Sequence, residues 1–124
     1  MVRIYGIKNC DTMKKARAWL EERGVGYEFH DYKACGIERA QLERWAGSVG
    51  WTALINRAGT TFRRLSEVQK STLDERSALA LMQEQPTLIR RPVLELGEQI
   101  MVGFRPALYE QAFRAGGAGA RPAP

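Results

Sequence analysis

The chain opens with a strand, a helix and a second strand joined by very short connections, and this order restricts the fold more than any other feature. Residues 2–7 are an apolar run that predicts a strand, residues 12–23 predict an amphipathic helix, and residues 25–30 predict a second strand. Two strands joined by one helix run parallel and are connected by a right-handed crossover. The sequence therefore predicts a βαβ unit at its beginning.

The predicted first helix carries apolar side chains at helical spacing, so that one of its faces can cover a sheet. Gly24 lies just beyond this pattern, at a position where glycine commonly ends a helix. The apolar residues of this face are Met13, Ala16, Trp19 and Leu20.

The middle of the chain predicts helices and no strands. Helical spacing occurs over residues 37–46 and 74–85, where Ala78, Leu81 and Met82 recur, and a shorter stretch lies around residues 49–55. We therefore expect an all-helical insert over about residues 36–86.

The last part of the chain returns to strands and ends in a helix. Residues 93–96 and 100–103 predict two strands joined by a tight hairpin. A last helix is predicted from Pro106, whose fixed φ suits a first turn, to about residue 115. The glycine- and proline-rich residues 116–124 predict a disordered tail.

A βαβ half, a helical insert and a ββα half together predict an α/β protein with a thioredoxin-like fold and a mixed four-stranded sheet. The length of 124 residues suffices for one domain, which we place over residues 1–115. The formal net charge of +5 comes from scattered arginines and favours anionic substrates or partners over nucleic acid, with an ordinary basic surface as the alternative. No membrane-spanning run or signal-peptide pattern occurs, so no membrane partner and a cytoplasmic location are expected.

Cys10 is the residue with the clearest chemical potential, because it lies where the first strand gives way to the first helix. Unpaired backbone N–H groups and the helix dipole stabilise a thiolate at such a position. Asp11 and Thr12 are two possible N-caps, and Lys14, Lys15 and Arg17 follow where an isolated helix prefers acidic residues, which indicates that an anion is expected there. A small buried apolar cysteine is the alternative.

The number and spacing of the cysteines and the histidine predict no metal site. Cys10 and Cys35 are the only cysteines, His30 is the only histidine, and their spacing matches neither a zinc site nor a C-x-x-C motif. For Cys35 a non-specific buried or loop position is favoured over a resolving thiol, and for His30 a structural role is favoured over a catalytic base.

Four segments, in order along the chain, resemble the arsenate reductase (ArsC) family, most closely its YffB-like branch, which is related to the Spx regulators. The resemblance runs over about residues 2–114 and implies a thioredoxin-like fold with a helical insert. The segments are YGIKNCDT at 5–12, LINRAGTT at 54–61, RRPV at 90–93 and GFR at 103–105.

The resemblance implies a nucleophile and an arginine-lined anion pocket. In the arsenate reductases of the family a thiolate attacks arsenate, glutathione resolves the adduct, and glutaredoxin reduces the mixed disulfide. The nucleophile corresponds to Cys10, and the three arginines of the pocket correspond to Arg57, Arg91 and Arg105. Guanidinium groups suit this role because they bind oxyanions and carboxylates with two parallel hydrogen bonds.

Three further residues belong to the expected anion and glutathione site. Asp11 and Thr12 follow the cysteine directly, and Arg91-Pro92 resembles the cis-proline element that thioredoxin-like folds place beside it. Glutathione is expected as a co-substrate, without a tightly bound cofactor, and glutaredoxin is a further expected partner.

Two positions depart from relatives of known chemistry. The arsenate reductases carry a histidine where this chain has Gly6, so Lys8 and Lys14 are candidates for lowering the Cys10 pKa instead. This departure favours a glutathione-dependent thiol reductase, with arsenate reductase as the first alternative. A non-enzymatic, Spx-like regulator that binds RNA polymerase is the second alternative, although Met13 replaces the second cysteine of the usual Spx C-x-x-C pair.

Overall fold

The computed structural model describes residues 2–115, and the chain divides into two compact units. The sheet unit comprises the described parts of Met1–Asp31 and Arg91–Pro124, and the helical unit comprises Tyr32–Arg90. The predicted tail, residues 116–124, lies outside the described residues. Within the described range, no helix is long and apolar enough to cross a membrane.

The sheet unit contains a mixed four-stranded sheet in the order β2-β1-β3-β4. Strand β1 (Val2–Gly6) pairs in parallel with β2 (Glu28–Asp31) and antiparallel with β3 (Val93–Leu96), which pairs antiparallel with β4 (Gln99–Val102). The parallel pair is joined through helix α1 (Asp11–Glu22). This order confirms the predicted α/β, thioredoxin-like sheet.

Helices α1 and α8 (Pro106–Ala115) pack with one face of the sheet in a single hydrophobic core. Side chains alternate between the two faces of a strand, so every second residue of β1 and β3 enters this core. All four residues predicted for the apolar face of α1 are buried there. The core consists of Val2, Ile4, Met13, Ala16, Trp19, Leu20, Val25, Leu94, Leu96, Tyr109, Ala112 and Phe113.

The end of α1 explains why β2 starts later than the sequence predicts. Gly24 adopts a positive φ of 69°, and the Val25 N–H donates to the Leu20 carbonyl at 3.0 Å. These features form a Schellman-type helix end, in which the residue after the glycine turns back onto the helix. Val25 is therefore part of the helix end and the core, and strand pairing begins only at Glu28.

The helical unit consists of short helices, of which the sequence predicts only part. The predicted stretches correspond to α3 (Arg39–Val49), α4 (Trp51–Leu54) and α7 (Glu75–Glu84). Helices α2 (Tyr32–Cys35), α5 (Thr60–Arg63) and α6 (Glu67–Ser71) were not predicted, because four or five residues are too few for apolar spacing to be recognisable. A short 3₁₀ helix follows at Pro86–Leu88.

Local capping defines two of these helices, and a long-range pairing closes the unit. Ser66 caps α6 and Asp74 caps α7, each in a capping box that satisfies N–H groups at the helix start. In α7 the buried positions include Leu79, whereas the predicted Leu81 is only partly buried. The pairing is an antiparallel bridge between Ile55 and Ile89.

Candidate active site

Cys10 is itself the N-cap of helix α1. Its backbone is extended, with φ −116° and ψ 130°, and its carbonyl accepts the first helical hydrogen bond from the Lys14 N–H at 3.0 Å. Asp11 and Thr12, which the sequence offered as caps, are instead the first two residues of the helix, and that interpretation was wrong. The cysteine sulfur therefore occupies the place where a capping oxygen usually faces the N–H groups of the first turn.

The pKa of the Cys10 thiol is lowered by three hydrogen-bond donors and one nearby charge, which act against the effect of burial. Partial burial is the largest influence and raises the pKa. The Met13 N–H, the hydrogen-bonding Arg91 side chain and the Thr12 N–H favour the thiolate, as does the Arg91 charge, and together they outweigh burial. Cys10 makes no regular side-chain capping bond, so the Met13 and Thr12 amides act on the thiol from the first turn without a formed cap. The pKa of Cys10 therefore lies below its ordinary value.

Arg91 reaches the cysteine from the start of strand β3. The Arg91–Pro92 peptide bond is cis, as the resemblance implied, and Pro92 is buried. The Gly103 N–H donates to the Pro92 carbonyl at 2.8 Å, which joins this segment to the end of β4. Sheet pairing thus places Arg91 beside a residue that lies 81 positions earlier in the chain.

The other cations near the start of α1 have different surroundings. Lys8 and Lys14 are exposed, and neither is among the leading influences on the Cys10 thiol. The Arg17 guanidinium lies 4.5 Å from the centroid of the Phe29 ring and donates to the Tyr27 hydroxyl at 3.1 Å. Arg17 therefore interacts with β2 and the segment before it.

Each of the other two arginines of the expected pocket has its described surroundings within its own unit. Arg105 is exposed and lines a cavity of about 610 Å³ with Gly103, Leu108 and other residues of β4 and α8. Arg57 belongs to the helical unit, where its guanidinium carbon lies 5.6 Å from the centroid of the Phe62 ring. Within the sheet unit, the residues that favour the Cys10 thiolate are Thr12, Met13 and Arg91.

Sequence reasoning missed Met13 as a residue of this site. The sequence assigns Met13 to the core, and it is fully buried there, but its backbone N–H also favours the Cys10 thiolate. Its position three residues after the cysteine was the available signal, because the N–H at that helix position faces the N-cap side chain.

Cys35 and His30 have surroundings that differ from that of Cys10. Cys35 is the last residue of α2 and is exposed, so of the buried and loop positions expected for it the buried one does not occur. His30 lies on β2, where its ring centroid is 5.2 Å from that of Tyr5. Among residues 2–115, no group of three or more His, Cys, Asp or Glu side chains is placed to hold a metal ion.

Comparison with known proteins identifies relatives over nearly the whole chain. The model of the ArsC family matches residues 5–112. A solved structure named YFFB protein has a TM-score of 0.88 and 58% identity, covering 90% of this chain and 98% of its own. An arsenate reductase (ArsC) related protein from Brucella melitensis has a TM-score of 0.73 and 56% identity, covering 91% of this chain and 94% of its own.

A more distant relative belongs to a different functional class. The global transcriptional regulator Spx of Streptococcus agalactiae is 26% identical over 106 residues, covering 84% of this chain and 77% of that protein. The regulators and the reductase-like proteins thus share one fold, as the resemblance indicated. Because the family model and these relatives match along almost its entire length, the chain belongs to the ArsC family.

Proposed function

We propose that the protein is a glutathione-dependent thiol reductase in which Cys10 is the nucleophile. The observation that carries this proposal is the placement of Cys10 as the N-cap of α1 beside Arg91, with its pKa lowered. A thiolate is the reactive form of cysteine, so a lowered pKa increases the reactive fraction at neutral pH. Membership of the ArsC family supports thiol-dependent reduction at the family level.

The reaction that fits one nucleophilic cysteine is exchange on a glutathione mixed disulfide. The Cys10 thiolate attacks the glutathione sulfur of R–S–S–G, forming a Cys10–glutathione disulfide and releasing R–S⁻, which takes a proton from water. A second glutathione thiolate then attacks the glutathione sulfur of that disulfide. This step yields oxidised glutathione and restores the Cys10 thiolate, so the two electrons come from glutathione.

The arginines have distinct proposed roles in this reaction. Arg91 stabilises the attacking thiolate, because its guanidinium hydrogen bonds with the sulfur. Arg105, together with Asp11, Thr12 and Pro92, is proposed to bind the carboxylates and backbone of glutathione, and the role that the resemblance implies for Arg57 stays a prediction. Glutaredoxin is a further proposed partner, and a cytoplasmic setting, where glutathione keeps thiols reduced, suits this chemistry.

Mass spectrometry after incubation with oxidised glutathione tests the proposal. We expect one glutathione adduct on the Cys10 peptide of the wild type and no such adduct in Cys10→Ser. The matched control is Cys35→Ser, which removes the other, exposed cysteine and is expected to keep the adduct. Equal labelling of the wild type and Cys10→Ser, confined to Cys35, would contradict the assignment of Cys10.

Arsenate reduction is the alternative enzymatic function and uses the same nucleophile. Turnover assays with arsenate and with a glutathione mixed disulfide, each with glutathione and glutaredoxin as reductants, distinguish the two substrates. We expect turnover of the mixed disulfide to exceed that of arsenate. The reverse order would favour the arsenate reductase.

The similarity to Spx favours one non-enzymatic function as a second candidate. In this chain the position of a C-x-x-C partner is taken by the buried Met13, which removes the redox pair without excluding polymerase binding. A pull-down with the C-terminal domain of the RNA polymerase α-subunit tests this candidate. Specific capture by a Cys10→Ser variant would support a regulator that needs no catalysis.

A further inference from the structure

Met13 packs directly onto the bare backbone of Gly6, the last residue of strand β1. A Cβ atom added at Gly6 would lie 2.8 Å from Met13 Cε and 3.0 Å from Met13 Cγ, and closer still to Met13 Sδ. Carbon atoms in a packed core do not approach this closely. The end of the Met13 side chain therefore occupies the space that any side chain at position 6 would need.

The other end of the same residue faces the cysteine. Met13 is the third residue of α1 after its N-cap, the position whose backbone N–H faces the N-cap side chain, and this amide favours the Cys10 thiolate. Its side chain is fully buried in the core that also contacts Cys10. Met13 thus connects strand β1 to the sulfur through one side chain and one amide.

We propose that Met13 is a positioning residue for Cys10, and that its side chain, seated on Gly6, fixes the first turn of α1 so that the Met13 N–H faces the sulfur. Gly6 is the complementary half of this arrangement, because only the absence of a side chain there admits the Met13 side chain in this conformation. The inference rests on the proposed function in so far as Cys10 is the nucleophile. It assigns to these two residues a role that is exerted through Cys10.

The physical reason is that a donor stabilises a thiolate only over a narrow range of distance and angle. A first helical turn lacks the hydrogen bonds that hold later turns, so its amides depend on side-chain packing for their position. Removing the Met13 side chain leaves a cavity under this turn. Adding a side chain at Gly6 displaces the Met13 side chain and thereby shifts the first turn of α1.

The test measures the alkylation of Cys10 by iodoacetamide as a function of pH in four variants. Met13→Ala and Gly6→Ala are each expected to move the alkylation profile to higher pH. At about pH 6.5 the alkylation rate of Cys10 is expected to fall by a factor of roughly three or more. Met13→Leu keeps most of the buried volume and is expected to react like the wild type. In the double variant Gly6→Ala/Met13→Ala the clash is absent. Its alkylation profile is therefore expected to lie at no higher pH than that of Met13→Ala.

Leu20→Ala is the matched control, because Leu20 is also a fully buried residue of α1 and lies near the other end of the helix. It is expected to lower the melting temperature as Met13→Ala does, while leaving the alkylation profile in place. Circular dichroism identifies which variants are folded. If Met13→Ala does not fold, Gly6→Ala and Met13→Leu decide the matter by the same criterion.

Two results would overturn the inference. One is a wild-type alkylation profile in the folded Gly6→Ala and Met13→Ala variants, and the other is an equal shift in Leu20→Ala. Alkylation requires neither glutathione nor a substrate. Absence of a glutathione adduct in the wild type would therefore contradict the proposed function and leave the positioning role of Met13 to be decided by the alkylation profiles.

Discussion

The two cysteines of the chain lie at opposite ends of helices, and their surroundings differ in every respect that matters for a thiol. Cys10 precedes the 12-residue helix α1, is partly buried, and faces backbone N–H groups and the Arg91 side chain. Cys35 ends the four-residue helix α2 and is exposed. Access to solvent favours reaction at Cys35, whereas stabilisation of the thiolate favours reaction at Cys10. The comparison predicts that thiol reactivity here is set by the backbone and one cation rather than by exposure.

The largest expected effect is a difference in alkylation rate between the two cysteines in the wild type. At about pH 6.5 we expect Cys10 to react with iodoacetamide on the order of tenfold faster than Cys35, because its thiolate is stabilised. Mass spectrometry of the two cysteine peptides over a time course measures both rates in one sample. A faster reaction at Cys35 would show that exposure dominates.

A second effect separates the contribution of Arg91 from that of general positive charge. Arg91→Ala removes the guanidinium that favours the thiolate, so we expect the pKa of Cys10 to rise and its alkylation at about pH 6.5 to slow several-fold. The matched control is Arg90→Ala, which removes the same charge from the neighbouring, exposed side chain.

Equal profiles for the two arginine variants would contradict a specific role for Arg91. Restoration of the wild-type profile is not expected in Arg91→Lys, because an ammonium group does not reproduce the planar geometry of a guanidinium. The three profiles together distinguish hydrogen bonding from charge.

A third and smaller effect is the dependence of stability on pH. The pKa of Cys10 is lower in the folded than in the unfolded protein, so the thiolate stabilises the fold above the unfolded pKa of about 8.5. This contribution is lost as the pH falls through the folded pKa. The free energy of unfolding of the reduced wild type, minus that of Cys10→Ser, is therefore expected to increase with pH between about 6 and 9.

Urea unfolding under reducing conditions at several pH values measures this difference. A difference that stays constant or decreases as the pH rises would mean that the folded protein does not stabilise the Cys10 thiolate.

The smallest effect is expected for Cys35→Ser. Cys35 is exposed at the end of α2, and substitutions at exposed positions usually change stability by less than about 0.5 kcal/mol. Urea unfolding at neutral pH measures the change. A loss well above this range would assign Cys35 a structural contact and weaken the contrast with Cys10.

Prediction from the sequence succeeded where a pattern is repeated within one element. Strand β3 and helix α8 have the predicted bounds, Val93–Leu96 and Pro106–Ala115, because apolar runs, a hairpin glycine and a starting proline are all local signals. Strand β2 was placed too early, because the residues after Gly24 belong to the helix end. Helix α4 lies within a predicted stretch, whereas α2, α5 and α6 have only four or five residues and show no recognisable helical spacing.

The candidate site likewise has features that the sequence predicted and features that it did not. Placement of Cys10 at the start of a helix followed from neighbouring residues, and the resemblance supplied Arg91 and Pro92 as its expected neighbours. The packing of Met13 on Gly6 was not predictable, because it depends on how closely α1 approaches the end of β1. Nor did the sequence indicate that Arg17 would interact with Phe29.

By itself, therefore, the sequence determined the order of the strands and of helices α1, α3, α4, α7 and α8, and the position of Cys10 at a helix start, since each depends on residues within a few positions of one another. Only the tertiary structure decided what surrounds the sulfur. Sheet pairing places Arg91 next to Cys10, and core packing seats Met13 on Gly6. These contacts join separate elements, and their distances are fixed by the fit of side chains in space rather than by spacing along the chain.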